Sequence, residues 1–257
     1  MVLYPLDSPD PTSEQVIPAW PAILHRQKLE ASSWYLITQA DHAVLSGELA
    51  ARAAVPNFPR LPDEVIQAIA LHDDGWREVD DPATPRVNSQ GRPLSFLEVP
   101  PQDTLRAWRG SIARAAQEGP LAGVLISEHF CRIARDFAHA ETTPPPLAQA
   151  LTTFVEREIS QQEEWRESLA ISDADVSRLT DALQFFDLLS LYLCCGARAP
   201  VEFPQEIGGK RFLVTWEAGS YHMRPVLFPM GTTFKLSARR YPLPEQPDNS
   251  LLTFKIA

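Results

Sequence analysis

The 257 residues carry 33 acidic against 23 basic side chains, a formal net charge of -10, with 44% hydrophobic and 22% charged residues. That composition marks a soluble globular chain able to bury an ample core, and its acidic balance argues against nucleic acid or an anionic membrane as partner. No apolar run approaches the about 18 residues of a spanning helix, and the acidic, proline-rich start lacks a secretory signature, so a cytoplasmic location is the default expectation.

Taken in order, residues 1–21 are rich in proline and read as an extended strap or mobile N-terminal segment. Residues 23–29 and 34–38 flank a short polar turn and predict a hairpin, with His25 in its first strand as a packing or surface residue. Residues 41–54 set alanine and leucine at helical spacing behind Asp41 as N-cap, which puts His42 in a first turn. Pro62, Asp63 and Glu64 open a second helix that reaches His72 and stops at Gly75.

Residues 74–100 hold Pro82, Pro85, Gly91, Pro93 and the arginines Arg77, Arg86 and Arg92. A connection this long inside a compact domain is usually functional or disordered, and it reads as a loop covering whatever lies at His72. Helices follow at 102–118, closed by Gly119, and at 121–138, which carries His129. The triple proline at 144–146 precedes a helix through Phe154 and Trp165, and Ser172 with Asp175 opens a last long helix.

Beyond Gly196, residues 211–217, 221–228, 232–240 and 251–256 are β-type runs separated by glycine, proline and asparagine. The pattern predicts a mainly α protein: a helical domain over 22–200 with its N-terminal hairpin, and a small antiparallel β subdomain over 201–257 that the hairpin could join. Cys131, Cys194 and Cys195 read as buried thiols of a reducing compartment.

Four places break the apolar pattern: His42, the run His72-Asp73-Asp74, His129 and Asp187. Desolvating such groups without partners costs several kcal/mol, and the usual compensations are a metal ion, a hydrogen-bond network or a counter-charge. Singly, each has a plainer reading: His42 at a helix start, His129 as a satisfied core histidine, Asp187 as a cap or the partner of a buried arginine. Jointly, imidazole nitrogens and carboxylate oxygens suit a divalent metal such as iron, manganese, zinc, cobalt or nickel, as one ion or two. The candidate ligands are His42, His72, Asp73, His129 and Asp187. Glu158 and Gln162, one turn apart, face either this pocket or solvent, with solvent favoured, and His139 and His222 are left as structural.

The order of a histidine, a His-Asp doublet and a late aspartate resembles the HD superfamily of helical metal-dependent phosphohydrolases. More narrowly, Trp34-Tyr35-Leu36-Ile37-Thr38-Gln39-Ala40-Asp41-His42, Leu71-His72-Asp73-Asp74-Gly75-Trp76, Gly91-Arg92-Pro93-Leu94-Ser95-Phe96-Leu97-Glu98 and Asp187-Leu188-Leu189-Ser190-Leu191-Tyr192-Leu193-Cys194 are similar to an uncharacterised bacterial family of HD-like proteins, a domain of unknown function, over residues 22–257.

The resemblance implies an HD-like bundle in which His42, His72, Asp73 and Asp187 bind metal and His129 is the extra histidine of binuclear members. Trp76 departs from it, because many phosphodiesterase members carry a lysine there and an indole cannot hold phosphate by charge. The expected activity is that of a metal-dependent hydrolase, a phosphohydrolase in the superfamily's pattern, acting on a small anionic substrate. Asp74 would serve as general base or orienter of water, and Arg77, with Arg86 or Arg92, would stabilise developing charge. Two other classes stay open: an HD-type metal-dependent oxygenase, and a non-catalytic regulatory module that holds a metal or ligand without turnover. Oligomeric state has no signature here.

Overall fold

The computed structural model describes residues 1–8, 15–54, 60–244 and 249–257. In chain order the elements are β1 (Val2–Pro5), β2 (Ile17–Pro18), α1 (Ala19–Lys28), β3 (Trp34–Ile37), α2 (Gln39–Arg52) and α3 (Asp63–Leu71). Then come α4 (Pro101–Glu118), α5 (Pro120–His139), α6 (Pro145–Arg166), α7 (Asp173–Cys194), β4 (Val201–Glu202), β5 (Leu213–Glu217), β6 (Ser220–Arg224), β7 (Thr233–Tyr241) and β8 (Asn249–Lys255). Among the described residues there are seven α-helices and two four-stranded sheets, with 51% of residues helical and 18% in strands or bridges. This corrects the mainly α expectation: the fold is mixed, with two sheets where one small β subdomain was expected. Among the described residues no helix is long and apolar enough to cross a membrane.

The reason for the discrepancy lies in where the strands find their hydrogen bonds. One sheet runs β1-β3-β7-β8, all antiparallel, with Val2 opposite Ile37, Trp34 opposite Tyr241 and Thr233 opposite Lys255. The other runs β2-β4-β5-β6, where β2 lies parallel to β4 and the remaining pairs are antiparallel. β1 and β2 sit in the proline-rich start and are too short to show alternation. Their partners lie tens to hundreds of residues away, so no local pattern announces them.

The predicted hairpin is corrected as well. Its second strand is β3, but residues 23–28 belong to α1, whose buried Ala19, Ala22, Ile23, Arg26 and Gln27 recur at helical spacing. Pro21 falls in the first turn, where its missing N–H costs nothing, and His25, Arg26 and Lys28 sit in the last turn, where they complement the helix dipole. At α2 the cap is Thr38, whose side chain accepts from the Asp41 N–H, so the helix begins two residues before Asp41.

Close approach of the helices positions the candidate residues. Gly47 on α2 lies against Ala70 on α3 so tightly that a β-carbon there would sit 2.6 Å from the Ala70 methyl. Five residues before Gly47 is His42, and two after Ala70 is His72. Gly75 answers the same demand in the turn after α3: its β-carbon would lie 2.1 Å from the Ala107 carbonyl oxygen of α4, and its N–H donates to Ser111 Oγ at 2.9 Å. α7 is buried along most of its length, with Phe185 packed on Phe203 and Phe212 at ring separations of 5.3 and 5.2 Å, next to the second sheet.

Candidate metal centre

His42 from α2, His72 and Asp73 at the end of α3, His129 from α5 and Asp187 from α7 converge inside the helical part of the fold. His42, His72 and Asp187 each offer one ligand atom, and these atoms all lie within 4.8 Å of one another. The His42 and His72 rings are 5.1 Å apart, and the His72 and His129 rings 5.4 Å.

The tautomers follow from the hydrogen bonds. His72 Nδ1 lies 2.7 Å from the Ile69 carbonyl oxygen, which can only accept, so the proton of a neutral ring is on Nδ1. Nε2 then presents a bare lone pair 3.4 Å from Asp187 Oδ1 and 3.7 Å from Asp73 Oδ2, buried and without a hydrogen-bond partner. His42 follows the same logic. Ser190 donates to the Asp187 carbonyl at 2.9 Å, so its Oγ accepts from His42 Nδ1 at 2.8 Å, and Ser46 donates to the same oxygen at 2.7 Å. His42 Nε2 is left facing Asp73 Oδ2 at 2.9 Å.

Lone pairs turned toward carboxylates repel unless a positive charge lies among them. Without metal that charge is a proton. Burial pulls the His72 pKa down, but the Asp73 and Asp187 carboxylates outweigh it and hold it at about 9. Asp187 shows the converse: burial alone would raise it, and His72 above all brings it to about 2. His129 is different, because burial dominates and lowers it to about 4.

A divalent ion would satisfy the same atoms. Ligands ~2.1 Å from an ion stand ~3.0 Å apart at a right angle and ~3.4 Å apart at the tetrahedral angle. The His42–Asp73 separation of 2.9 Å, the His72–Asp187 separation of 3.4 Å and the His129–Asp187 separation of 3.7 Å are on that scale. The hydrogen bonds to Ile69 and Ser190 are the outer contacts that orient ligating imidazoles. The donor set therefore fits a divalent cation.

A cavity of about 240 Å³ opens beside the centre, with Asp73, His129 and Asp187 in its wall. The rest of its lining is mostly apolar, from α4, α5, α6 and the 74–100 connection, whose Trp76, Phe96, Leu97 and Val99 cover it. Asp74 and Arg77, expected to act on substrate, do not line it: Asp74 is held by Arg77 and Arg114, and Arg77 is 54% exposed. Arg86 pairs with Asp103, and Arg92 with Glu98. Glu158 and Gln162 face neither solvent nor cavity; both are buried against Ser127, to which Glu158 accepts at 3.3 Å and Gln162 donates at 2.9 Å.

Sequence reasoning missed Ser46 and Ser190, the pair that orients His42. Ser190 stands one turn after Asp187 in an apolar helix, a spacing that was readable. It also missed Gln39 and the apolar wall.

No curated protein and no solved structure gives a match to this chain, and nothing in these comparisons ties it to the HD superfamily. The family described as a protein of unknown function (DUF3891) matches residues 24–244, and the chain belongs to that family.

Proposed function

We propose that this protein is a metal-dependent hydrolase, with His42, His72 and Asp187 holding a divalent ion and Asp73 and His129 completing the centre. The observation that carries the reading is His72: its Nδ1–H is committed to the Ile69 carbonyl, and its Nε2 is buried, unpartnered and turned to two carboxylates. A bound divalent metal supplies Lewis acidity and brings the pKa of water toward neutrality. Asp73 and Asp187, both in the cavity wall, are the carboxylates placed to orient or deprotonate water, and they take the role first assigned to Asp74. His129, neutral at pH 7 because burial lowers its pKa to about 4, keeps a bare ring nitrogen available to the ion in the same wall. A substrate filling the mostly apolar cavity would displace water from it, which strengthens every charge interaction inside.

The test is elemental analysis of the untagged protein, then chelation, reloading with manganese, iron or zinc, and assay against phosphate esters, carboxylic esters and amides. Turnover that needs the metal and disappears in His72→Ala and Asp187→Asn is the expected result. Metal at full occupancy with no turnover on any substrate would replace the hydrolase with a binding module. A second reading is favoured by one observation: two histidines and one carboxylate are the ligand set of non-haem iron oxygenases. Oxygen consumption by the iron-loaded protein in the presence of an organic substrate would select it.

A further inference from the structure

The cavity beside the centre is unlike a site for an anion. No lysine or arginine is in its lining, and the arginines of the covering connection are committed elsewhere: Arg77 to Asp74, Arg86 to Asp103 and Arg92 to Glu98. Asp73 and Asp187 already stand in its wall, so a divalent ion held there would be neutralised by its own carboxylates and would leave no surplus positive charge to hold a phosphate or carboxylate. The remaining surface is aromatic and aliphatic, including Trp20, Trp76, Trp108 and Phe130.

Besides His129 Nδ1, two further buried polar atoms of residues in the wall have no partner among the described residues. Trp76 is 2% exposed and its indole Nε1–H donates to nothing; Gln39 is 3% exposed and its Oε1 accepts nothing. Both residues line the cavity. Buried groups left in this state cost about 1–3 kcal/mol each, and a guest in the cavity would recover that cost at these two positions. Trp76 offers a donor and Gln39 an acceptor, and the roles of the Gln39 amide atoms can exchange by rotation.

We infer that the cavity takes a small uncharged organic compound, apolar or aromatic over most of its surface, with one head group that both accepts and donates a hydrogen bond, such as a carboxamide. The head group accepts from Trp76 Nε1–H, donates to Gln39 Oε1 and stands beside the carboxylates of the centre. At about 240 Å³ the space is at the small end of ligand sites, which run ~300–1,000 Å³, so the body is one ring or a short branched chain. This assignment rests on the hydrolase reading for its chemistry. With an amide bound, the oxygen of water bonds to the carbonyl carbon, the carbon–nitrogen bond breaks, and the departing amine takes a proton from the water. No further reactant is needed.

The experiment is titration of the full chain with benzamide, benzyl alcohol and phenyl phosphate, read by tryptophan fluorescence and by thermal shift, with metal content measured on the same samples. Saturable binding of benzamide and benzyl alcohol, each at least ~10-fold tighter than phenyl phosphate, is the expected result. Trp76→Phe keeps the ring and loses the N–H, and should weaken benzamide ~3- to 10-fold. Leu151→Trp fills the cavity and should abolish binding of both neutral probes without changing metal content. Phenyl phosphate binding as tightly as benzamide overturns the inference, and so does the absence of saturable binding by any probe. Neutral probes that bind protein unable to take up metal leave the substrate class standing and remove the hydrolase reading, so the two failures are separable.

Discussion

Two buried polar clusters lie two residues apart on α5, and they are built to opposite rules. Around Ser127, the hydroxyl donates to the Glu158 carboxyl and accepts from the Gln162 amide, which also reaches Cys131 Sγ at 3.8 Å. Burial raises the Glu158 pKa against the weaker opposing pull of the Ser127 hydrogen bond and of the Arg157 and Arg109 charges. Around His129 the imidazoles and carboxylates do not close on themselves: His72 Nε2 and His129 Nδ1 have no partner. The first cluster is a satisfied polar patch in a core, and the second is a set of groups that could hold a metal ion. Burial alone does not separate the two clusters; the difference lies in unmet hydrogen-bonding capacity that faces two carboxylates at His72.

The sharpest way to break this contrast is His72→Ala, expected to lower metal affinity by at least ~100-fold, since even outer contacts of ligating histidines are worth ~10- to 100-fold. Elemental analysis reads it, and a variant that keeps wild-type metal content removes His72 from the centre. Next in size is the thermal effect of loading. Metal at ~100 times its dissociation constant should add ~2.7 kcal/mol and raise the midpoint by ~5–10 °C, reversed by chelator and absent in Asp187→Asn. Ser190→Ala should weaken metal ~10- to 100-fold through the lost His42 contact, measured by competition with a chromophoric chelator, while the helix content stays unchanged.

The pH dependence sharpens the same contrast. In the metal-free protein His72 has a folded pKa of about 9 against 6.5 unfolded, so its contribution to stability is complete below pH 6.5 and is lost as pH rises through 9. His129, depressed to about 4, contributes above pH 6.5 and loses that contribution as pH falls through 4, and Asp187, at about 2, loses its own below 3.8. Stability of the metal-free protein should therefore peak near pH 6.5. Metal must displace the His72 proton, so its apparent affinity should rise ~10-fold per pH unit up to about pH 9, with one proton released per ion at pH 7. Calorimetry in buffers of different ionisation enthalpy counts that proton. The smallest effect is Glu158→Gln, expected to change stability by under ~1 kcal/mol and metal content not at all.

The five ligand candidates were legible because each is a polar residue at a position the apolar period assigns to the core. The helices that carry them were legible from α2 onward for the same reason. β1 and β2 were not, because two to four residues show no period and their partners are distant in sequence. α1 was read as a strand because Pro18 and Pro21 obscured its start and only tertiary contact reveals which side is buried. The expected anionic substrate came from the resemblance to metal-dependent phosphohydrolases, with the arginines at 77, 86 and 92 as the groups to stabilise its charge. Their neutralisation by Asp74, Asp103 and Glu98 is a property of the folded loop, and composition does not express it.

The contact of Gly47 with Ala70 has a consequence for how tolerant the centre is to change. The two histidines are mounted on helices whose spacing is set by a missing methyl group, about a turn and a half from one imidazole and half a turn from the other. Any side chain at position 47 acts as a wedge between α2 and α3, widening the bite of the two nitrogens while every ligand keeps its identity. A chain altered at that glycine would retain the full set of chelating groups and lose the grip.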